Sequence, residues 1–205
     1  MARFSTAQNF HILILGEGIT SRSERRGDAD ETGLKKLQAQ ARAVGALLGA
    51  KSVHFCELPD NRFDELALLD VIKQVEYWVK ELQPEIIYTH HPGDLNIDHS
   101  ITFRAVLTAA RSVQSCPVRE IYAYEVPSST EWAFGQFDPA FQPNVFVDIS
   151  TTLERKVEAM RLYAHEIRPF PHPRSPEALE AIARRWGSVA GLDAAEAFVA
   201  VRIMR

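Results

Sequence analysis

The first half of the chain alternates between two rhythms of apolar positions. A short apolar run at residues 10–15 (FHILIL) stops at Gly16, which predicts a buried strand. The polar stretch from Gly16 to Asp30 reads as a loop. From about Asp30 to Leu48 the apolar residues Leu34, Leu37, Ala41, Val44 and Leu48 fall at helical spacing, and Gly49 stands where a helix commonly ends. Ser52 to Leu58 predicts a second strand, followed by a loop at Pro59, Asp60, Asn61 and Arg62. Leu68, Leu69, Ile72, Val75, Val79 and Leu82 give a helical stripe that Pro84 closes. Glu85 to Thr89 predicts a third strand. His90 to Asp98, rich in Gly, Asp, Asn and Pro, predicts a loop, and Ile101, Ala105, Val106 and Ala109 mark another helix.

Strands alternating with helices over roughly residues 10 to 113 predict βαβ units and a mostly parallel sheet with helices on both faces, an α/β fold. The later part is less regular. Glu120 to Val126 and Val145 to Ile149 read as strands. Thr151 to Glu166, residues 176–186 and residues 193–204 read as helices, with a proline-stiffened loop from Phe170 to Arg174. No repeat, low-complexity tract or linker divides the chain, so a single domain over residues 1–205 is expected.

Composition narrows the classes. The 205 residues are 46% hydrophobic and 24% charged, as in an ordinary globular domain, and the formal net charge of -4 shows no footprint for a nucleic acid. Arg22, Arg25 and Arg26 read as a solvated loop. Cys56 and Cys116 lack metal-site or redox spacing; Cys56, in the run Val53-His54-Phe55-Cys56, reads as packing. No stretch approaches the roughly 20 apolar residues that span a bilayer, and the N-terminus lacks a signal-peptide layout. A cytoplasmic protein without a membrane partner is the expectation.

In open α/β sheets, ligands bind beyond the carboxyl ends of the strands. The segment after the third strand, THHPGDLNIDHS at residues 89–100, places His90, His91, Asp94, Asn96, Asp98 and His99 at such an end, with three of the chain's seven histidines. An imidazole binds zinc through one nitrogen while a carboxylate fixes the ring from behind. Asp98 beside His99 has the composition of such a pair. For an isolated Asp-His pair at a helix start, an N-cap is the simpler reading; the two further histidines and two further polar groups tip the balance toward a site. Gly16-Glu17-Gly18 after a strand is a weaker, nucleotide-binding signal, since Ser21 stands where a third glycine is needed. His11 and His54, each in an apolar strand, read as packing.

The run His91-Pro92-Gly93-Asp94-Leu95-Asn96-Ile97-Asp98-His99 resembles the second signature of the LmbE/PIG-L-like zinc-dependent N-deacetylases, in the form H-P-x-D-x-N-x-D-H. IYTHHPGDLNIDH, LPDNRFD (58–64), EGITSR (17–22) and RPFPHPRS (168–175) resemble further blocks of one bacterial branch of that family, from about residue 11 to the C-terminus. The resemblance implies a Rossmann-like three-layer α/β sandwich that removes an acetyl or related acyl group from an amino sugar or its conjugate. It implies zinc-assisted hydrolysis, a carboxylate base and a donor for the oxyanion. By position His99 matches a zinc ligand and Asp98 the acidic partner that orients the site. Asn96 falls where some members carry a second histidine, which leaves the oxyanion or acid role between Asn96, His91 and His90. Asp60, Asn61 and Arg62 are candidate sugar contacts, against the simpler reading of a turn in which Arg62 pairs with Asp64. His172 and Arg174 match a block near the substrate mouth. Tyr124 and Glu125, ending a later strand, fit a core edge as well as a site.

One departure stands out. Family members begin with a strand and the motif A-H-P-D-D-E, which supplies two zinc ligands and the general base; this sequence enters at what resembles the second strand. Three readings compete: a start further upstream, an inactive relative that keeps the fold and binds sugar, or a metal site rebuilt from another histidine. Missing a central strand would expose sheet edges, which pairing with a second copy or an unusual N-terminal path would cover.

Overall fold

The computed structural model describes residues 1, 9–19 and 31–205. Arg22, Arg25 and Arg26, and the second half of the block at 17–22, lie outside the described residues. The elements run β1 (His11–Gly16), α1 (Glu31–Leu48), β2 (Ser52–Leu58), α2 (Leu68–Leu82), β3 (Ile86–His90), α3 (Ile97–Ala109), β4 (Glu120–Tyr124), β5 (Val145–Asp148), α4 (Leu153–Leu162), α5 (Pro176–Ala190) and β6 (Ala195–Ile203). Gly49, with φ +82, takes the left-handed conformation that releases the chain from α1. Pro176 opens α5 behind Ser175, whose hydroxyl accepts the Ala178 amide at 3.0 Å.

The described strands form two sheets. β1 and β2 pair in parallel, in register from His11 opposite Ser52. The other sheet has the order β3-β4-β6-β5, with β3 and β4 parallel and β6 antiparallel to β4. The fold is therefore mixed α/β, less uniformly parallel than expected. Residues 193–204, expected as a helix, are instead largely β6. Its alanines mimic a helical segment, but Phe198, Val199, Val201 and Ile203 favour a pleated surface, and the ladder to β4 decides the outcome. Arg202 reinforces it by donating to the carbonyls of Ala110 and Val118. The helix expected over Thr151 to Glu166 is shorter, Leu153–Leu162.

Contacts divide the chain into two compact units. Unit 1 holds Met1–Asp60 and Val147–Glu196; unit 2 holds Asn61–Phe146 and Ala197–Arg205. In unit 1 the stripe of α1 buries Ala41 and Val44, and Ile149, Ala183 and Ala194 form a cluster with Leu153 packed against it. In unit 2, α2 buries Ile72 and Val75 of the predicted stripe together with Val71, whereas Leu69, expected on the inner face, is 59% exposed; Ala105 and Val106 of α3 and Ile121 and Ala123 of β4 are also inside. Full burial of each larger side chain contributes about 1.5–3 kcal/mol, which holds α3 and the loop before it in place. Neither Cys56 nor Cys116 is in a disulfide. Among the described residues, no helix is long and apolar enough to cross a membrane.

Candidate functional site

The site is built in unit 2, where β3 runs out and α3 begins. β3 delivers His90 opposite the last residue of β4, Tyr124, and the His91 amide extends the pairing by donating to the Tyr124 carbonyl at 3.0 Å. The chain then turns through Pro92 and Gly93. Glycine is required at 93 by close approach: a Cβ there would lie 2.1 Å from the Pro139 carbonyl oxygen and 2.9 Å from that of Phe137. The N-cap of α3 is Asn96, whose Oδ1 accepts the Asp98 amide at 2.9 Å, so the cap lies two residues before Asp98.

The carboxylate behind His99 is Asp94, not its neighbour Asp98. Asp94 Oδ1 lies 3.0 Å from His99 Nδ1, within ion-pair range but short of a well-aligned hydrogen bond. The Asp94 side chain is fully buried and also accepts the Ser129 hydroxyl, the Thr130 hydroxyl at 2.6 Å and the Asn96 amide at 2.9 Å. Burial alone would raise its pKa. The interactions with His99, Ser129 and Thr130 outweigh that and hold it at about 2, so the group is a carboxylate at neutral pH. Asp98 does different work. Its two oxygens accept the backbone amides of Asn61 (2.6 Å) and Phe63 (2.9 Å), tying the loop after β2 to the start of α3.

The imidazoles are equally specific. His90 and His99 stack with centroids 4.1 Å apart and planes 11° from parallel. Burial, then the neighbouring His99, depresses the His90 pKa to about 3, so this ring is neutral, and its buried Nδ1 has no hydrogen-bond partner among the described residues. His91 is 1% exposed. Its Nδ1 accepts the Gly93 amide at 3.1 Å, which places the ring proton on Nε2, and its ring meets Phe141 edge-on at 5.2 Å. Burial lowers its pKa also, against an opposing pull from Asp94. Burial holds the Tyr124 hydroxyl protonated well above its ordinary range, with Asp94 adding to the effect.

The residues anticipated from sequence fall into three groups. His90, His91, Asn96 and His99 gather around Asp94, while Asp98 turns to the amides of Asn61 and Phe63. Asn61 and Arg62 begin unit 2 on the loop that Asp98 holds, and Arg62 pairs with Glu65 at 3.1 Å rather than with Asp64. Asp60 ends unit 1, as part of which His172 and Arg174 form a separate cluster: His172 Nδ1 accepts the Arg174 amide, and the Arg174 guanidinium is paired with Glu166. His11 and His54, read as separate packing residues, share Ser52, whose hydroxyl lies 2.6 Å from a nitrogen of each ring. Gly16, Glu17 and Gly18 line an apolar cavity of about 150 Å³ in unit 1. Glu17 and Glu57 at that cavity oppose a phosphate, so the nucleotide reading gains nothing. Sequence reading missed Ser129 and Thr130. Their signal was the polar run Ser128-Ser129-Thr130 just beyond the carboxyl end of β4, all three buried.

Zinc fits poorly here. Lone pairs of an imidazole lie in the ring plane, and the nearly parallel planes of His90 and His99 cannot converge on one tetrahedral ion with Zn–N bonds of about 2.0–2.1 Å. Among the described residues no group of three or more His, Cys, Asp or Glu side chains is placed to hold a metal.

Comparison with known proteins decides the family. The family described as PIG-L: GlcNAc-PI de-N-acetylase matches residues 1–110, more than half of the chain. The chain belongs to the PIG-L family. Its fold is shared with solved structures at low identity. The conserved protein TT1542 from Thermus thermophilus is 18% identical, with a TM-score of 0.73 over 100% of this chain and 87% of that one. N,N'-diacetylchitobiose deacetylase from Pyrococcus horikoshii is 18% identical, with a TM-score of 0.74 over 98% and 76%. The A40926 pseudoaglycone deacetylase Dbv21 is 17% identical, with a TM-score of 0.67 over 100% and 91%. No curated protein sequence matches.

Proposed function

We propose that this PIG-L family member recognises an N-acylated amino sugar, or a conjugate carrying one, at the cluster formed by residues 90–99 with Ser129 and Thr130. The observation that carries the reading is the buried, ionised Asp94 bracing His99. Hydrogen bonds from Ser129, Thr130 and the Asn96 amide fix the carboxylate, which in turn holds its charge 3.0 Å from the His99 ring, an arrangement that serves recognition of a polar group at the rim. Family membership and the deacetylase fold support the amino-sugar assignment. In this reading His99 faces the ligand, while Asp98, Asn96 and His91, engaged by backbone amides, position the loop. Asn61 and Arg62 flank it as sugar contacts. Asp60, His172 and Arg174 remain substrate contacts by resemblance only.

N-deacetylation is the second reading, favoured by the family and by the His99–Asp94 pair, the arrangement in which a carboxylate orients a zinc-binding histidine. The described residues supply one such histidine and not the set of ligands the chemistry needs, so no hydrolytic step is assigned to them. The test is calorimetric titration with methyl N-acetyl-β-glucosaminide, paired with an acetate-release assay with and without added zinc. Binding without acetate release, weakened by His99→Gln, supports recognition. Zinc-dependent acetate release lost in His99→Gln establishes the second reading. Failure to bind any N-acyl amino sugar rejects both.

A further inference from the structure

In β1 and β2 successive side chains point to opposite faces of the two-stranded sheet. Ile12, Val53 and Phe55 face α1: a Cβ at Gly45 would lie 2.5 Å from Val53 and 3.9 Å from Ile12, and the Arg42 guanidinium stands 4.7 Å over the Phe55 ring. His11, Ser52 and His54 therefore share the other face. The parallel register sets His11 opposite Ser52, and His54 follows two residues along. All three are half-buried and belong to unit 1, whereas the histidine loop belongs to unit 2.

The two imidazoles converge. Ser52 Oγ lies 2.6 Å from His11 Nδ1 and 2.6 Å from His54 Nε2. The ring centroids are 6.3 Å apart and the planes 28° from parallel. At that separation the rings flank the hydroxyl side by side, unlike His90 and His99, whose faces overlap at 4.1 Å. Both nitrogens are thus aimed at the point that the oxygen occupies. The hydroxyl carries one proton, so it donates to one ring and accepts the N–H of the other. When that second ring carries its proton on its far nitrogen, two bare nitrogens face one point, with no net loss of a proton. Burial, then Lys51 and His54, lowers the His11 pKa, which keeps this ring neutral at pH 7, the form that binds metals.

That donor pair suits a particular class of ion. Imidazole nitrogen is the preferred ligand of Cu²⁺, Ni²⁺ and Zn²⁺, whereas Mg²⁺ and Ca²⁺ take oxygen. Metal–nitrogen bonds of about 2.0–2.1 Å require each ring to close in by about half an ångström from its hydrogen-bonded position, a small side-chain rotation.

We propose that His11 and His54 form a two-imidazole site for a divalent transition-metal ion, which takes the position of the Ser52 hydroxyl oxygen and bridges β1 to β2. Ser52 turns its hydroxyl aside, and water completes the coordination. The site is separate from the histidine loop and does not depend on the amino-sugar reading.

The experiment is calorimetric titration of the untagged, metal-free chain with Cu²⁺, Ni²⁺ and Mg²⁺, in the native sequence and in His99→Gln. A Cu²⁺ and Ni²⁺ site that survives His99→Gln is expected, with Cu²⁺ bound more tightly and Mg²⁺ not at all. His11→Gln and His54→Gln should each weaken that site by more than the roughly tenfold that loss of an outer-shell partner costs. Ser52→Ala should keep it. This variant removes the same two hydrogen bonds but no ligand, so it separates a lost ligand from a loosened strand pair. Electron paramagnetic resonance of His99→Gln with equimolar Cu²⁺ should show coupling to two imidazole nitrogens, and to a single one once His11→Gln is added. Circular dichroism verifies the fold of each variant. An affinity unmoved by both histidine variants, its loss in Ser52→Ala, equal binding of Mg²⁺, or no metal binding at all overturns the site. Should a histidine variant fail to fold, the resonance of His99→Gln and Ser52→Ala decides, and the absence of a two-imidazole signal there overturns the proposal.

Discussion

Replacing Asp94 by asparagine tests the physical centre of the site. The native carboxylate is fully buried and accepts from Ser129, Thr130 and the Asn96 amide, with His99 Nδ1 at 3.0 Å. Its pKa in the fold, about 2, lies below the ordinary 3.8, so folding favours the ionised form. A shift of that size corresponds to about 2 kcal/mol of stability at neutral pH. The sign follows from the depressed value: the contribution is complete above about pH 4 and is lost as pH falls through about 2. Asparagine keeps the shape and one acceptor, but it has no charge and turns an amide N–H₂ toward groups that are themselves donors. A loss of about 2–4 kcal/mol at pH 7 is expected, from the charge and from bonds to a charged acceptor worth about 1.5–3 kcal/mol each. Urea unfolding followed by circular dichroism, at pH 7, 5, 4 and 3, measures it. The gap between the native chain and Asp94→Asn should narrow below pH 4. An asparagine variant as stable as the native chain at pH 7, or a gap that does not respond to pH, would refute the reasoning.

Three further outcomes follow from neighbouring residues. Asp98→Asn should cost about 1–3 kcal/mol by weakening the bonds to the Asn61 and Phe63 amides, and should speed tryptic cleavage after Arg62; an unchanged cleavage rate would count against the tie. Gly93→Ala should lower stability by about 2–3 kcal/mol and the thermal midpoint by roughly 5–10 °C, because the new methyl meets backbone carbonyls that cannot swing aside; a midpoint within 1 °C, roughly the error of a scan, would show that the loops do not touch. His90, held neutral with a pKa of about 3, lowers stability as pH falls from its unfolded value of 6.5, by about 2 kcal/mol between pH 6.5 and 5. His90→Gln should flatten that slope, and an identical slope in the variant would place the acid sensitivity elsewhere.

Much of this was legible in the chain. The stripe Leu68, Leu69, Ile72, Val75, Val79 and Leu82 is a helix, because a period of 3.6 is a local property that burial reinforces, although its buried face takes in Val71 and leaves Leu69 in solvent. The strand Ser52–Leu58 was legible as a short apolar run, and the loop expected over His90 to Asp98 is found at residues 91–96, with His90 ending β3 and Asp98 already in α3. Residues 193–204 were not, since alanine-rich text satisfies either period and the ladder to β4 is a non-local choice. At the site, adjacency in sequence misled: Asp98 is next to His99 in the chain, but successive residues on a helix point about 100° apart. The carboxylate that reaches the ring lies five residues earlier, in the loop. Ser129 and Thr130 meet Asp94 across 35 and 36 positions, a closure no local pattern announces.

Asp98 fastens the backbone of residues 61–63 to the first turn of α3, and it does so through amide hydrogens. Those hydrogens are thereby removed from solvent by a side chain 35 and 37 positions away, not by a neighbouring strand or helix. The corner should therefore open cooperatively: the protons on the nitrogens of Asn61 and Phe63 would be traded for deuterium in step with those at the head of the helix, and a ligand that stills the helix start would slow them all together.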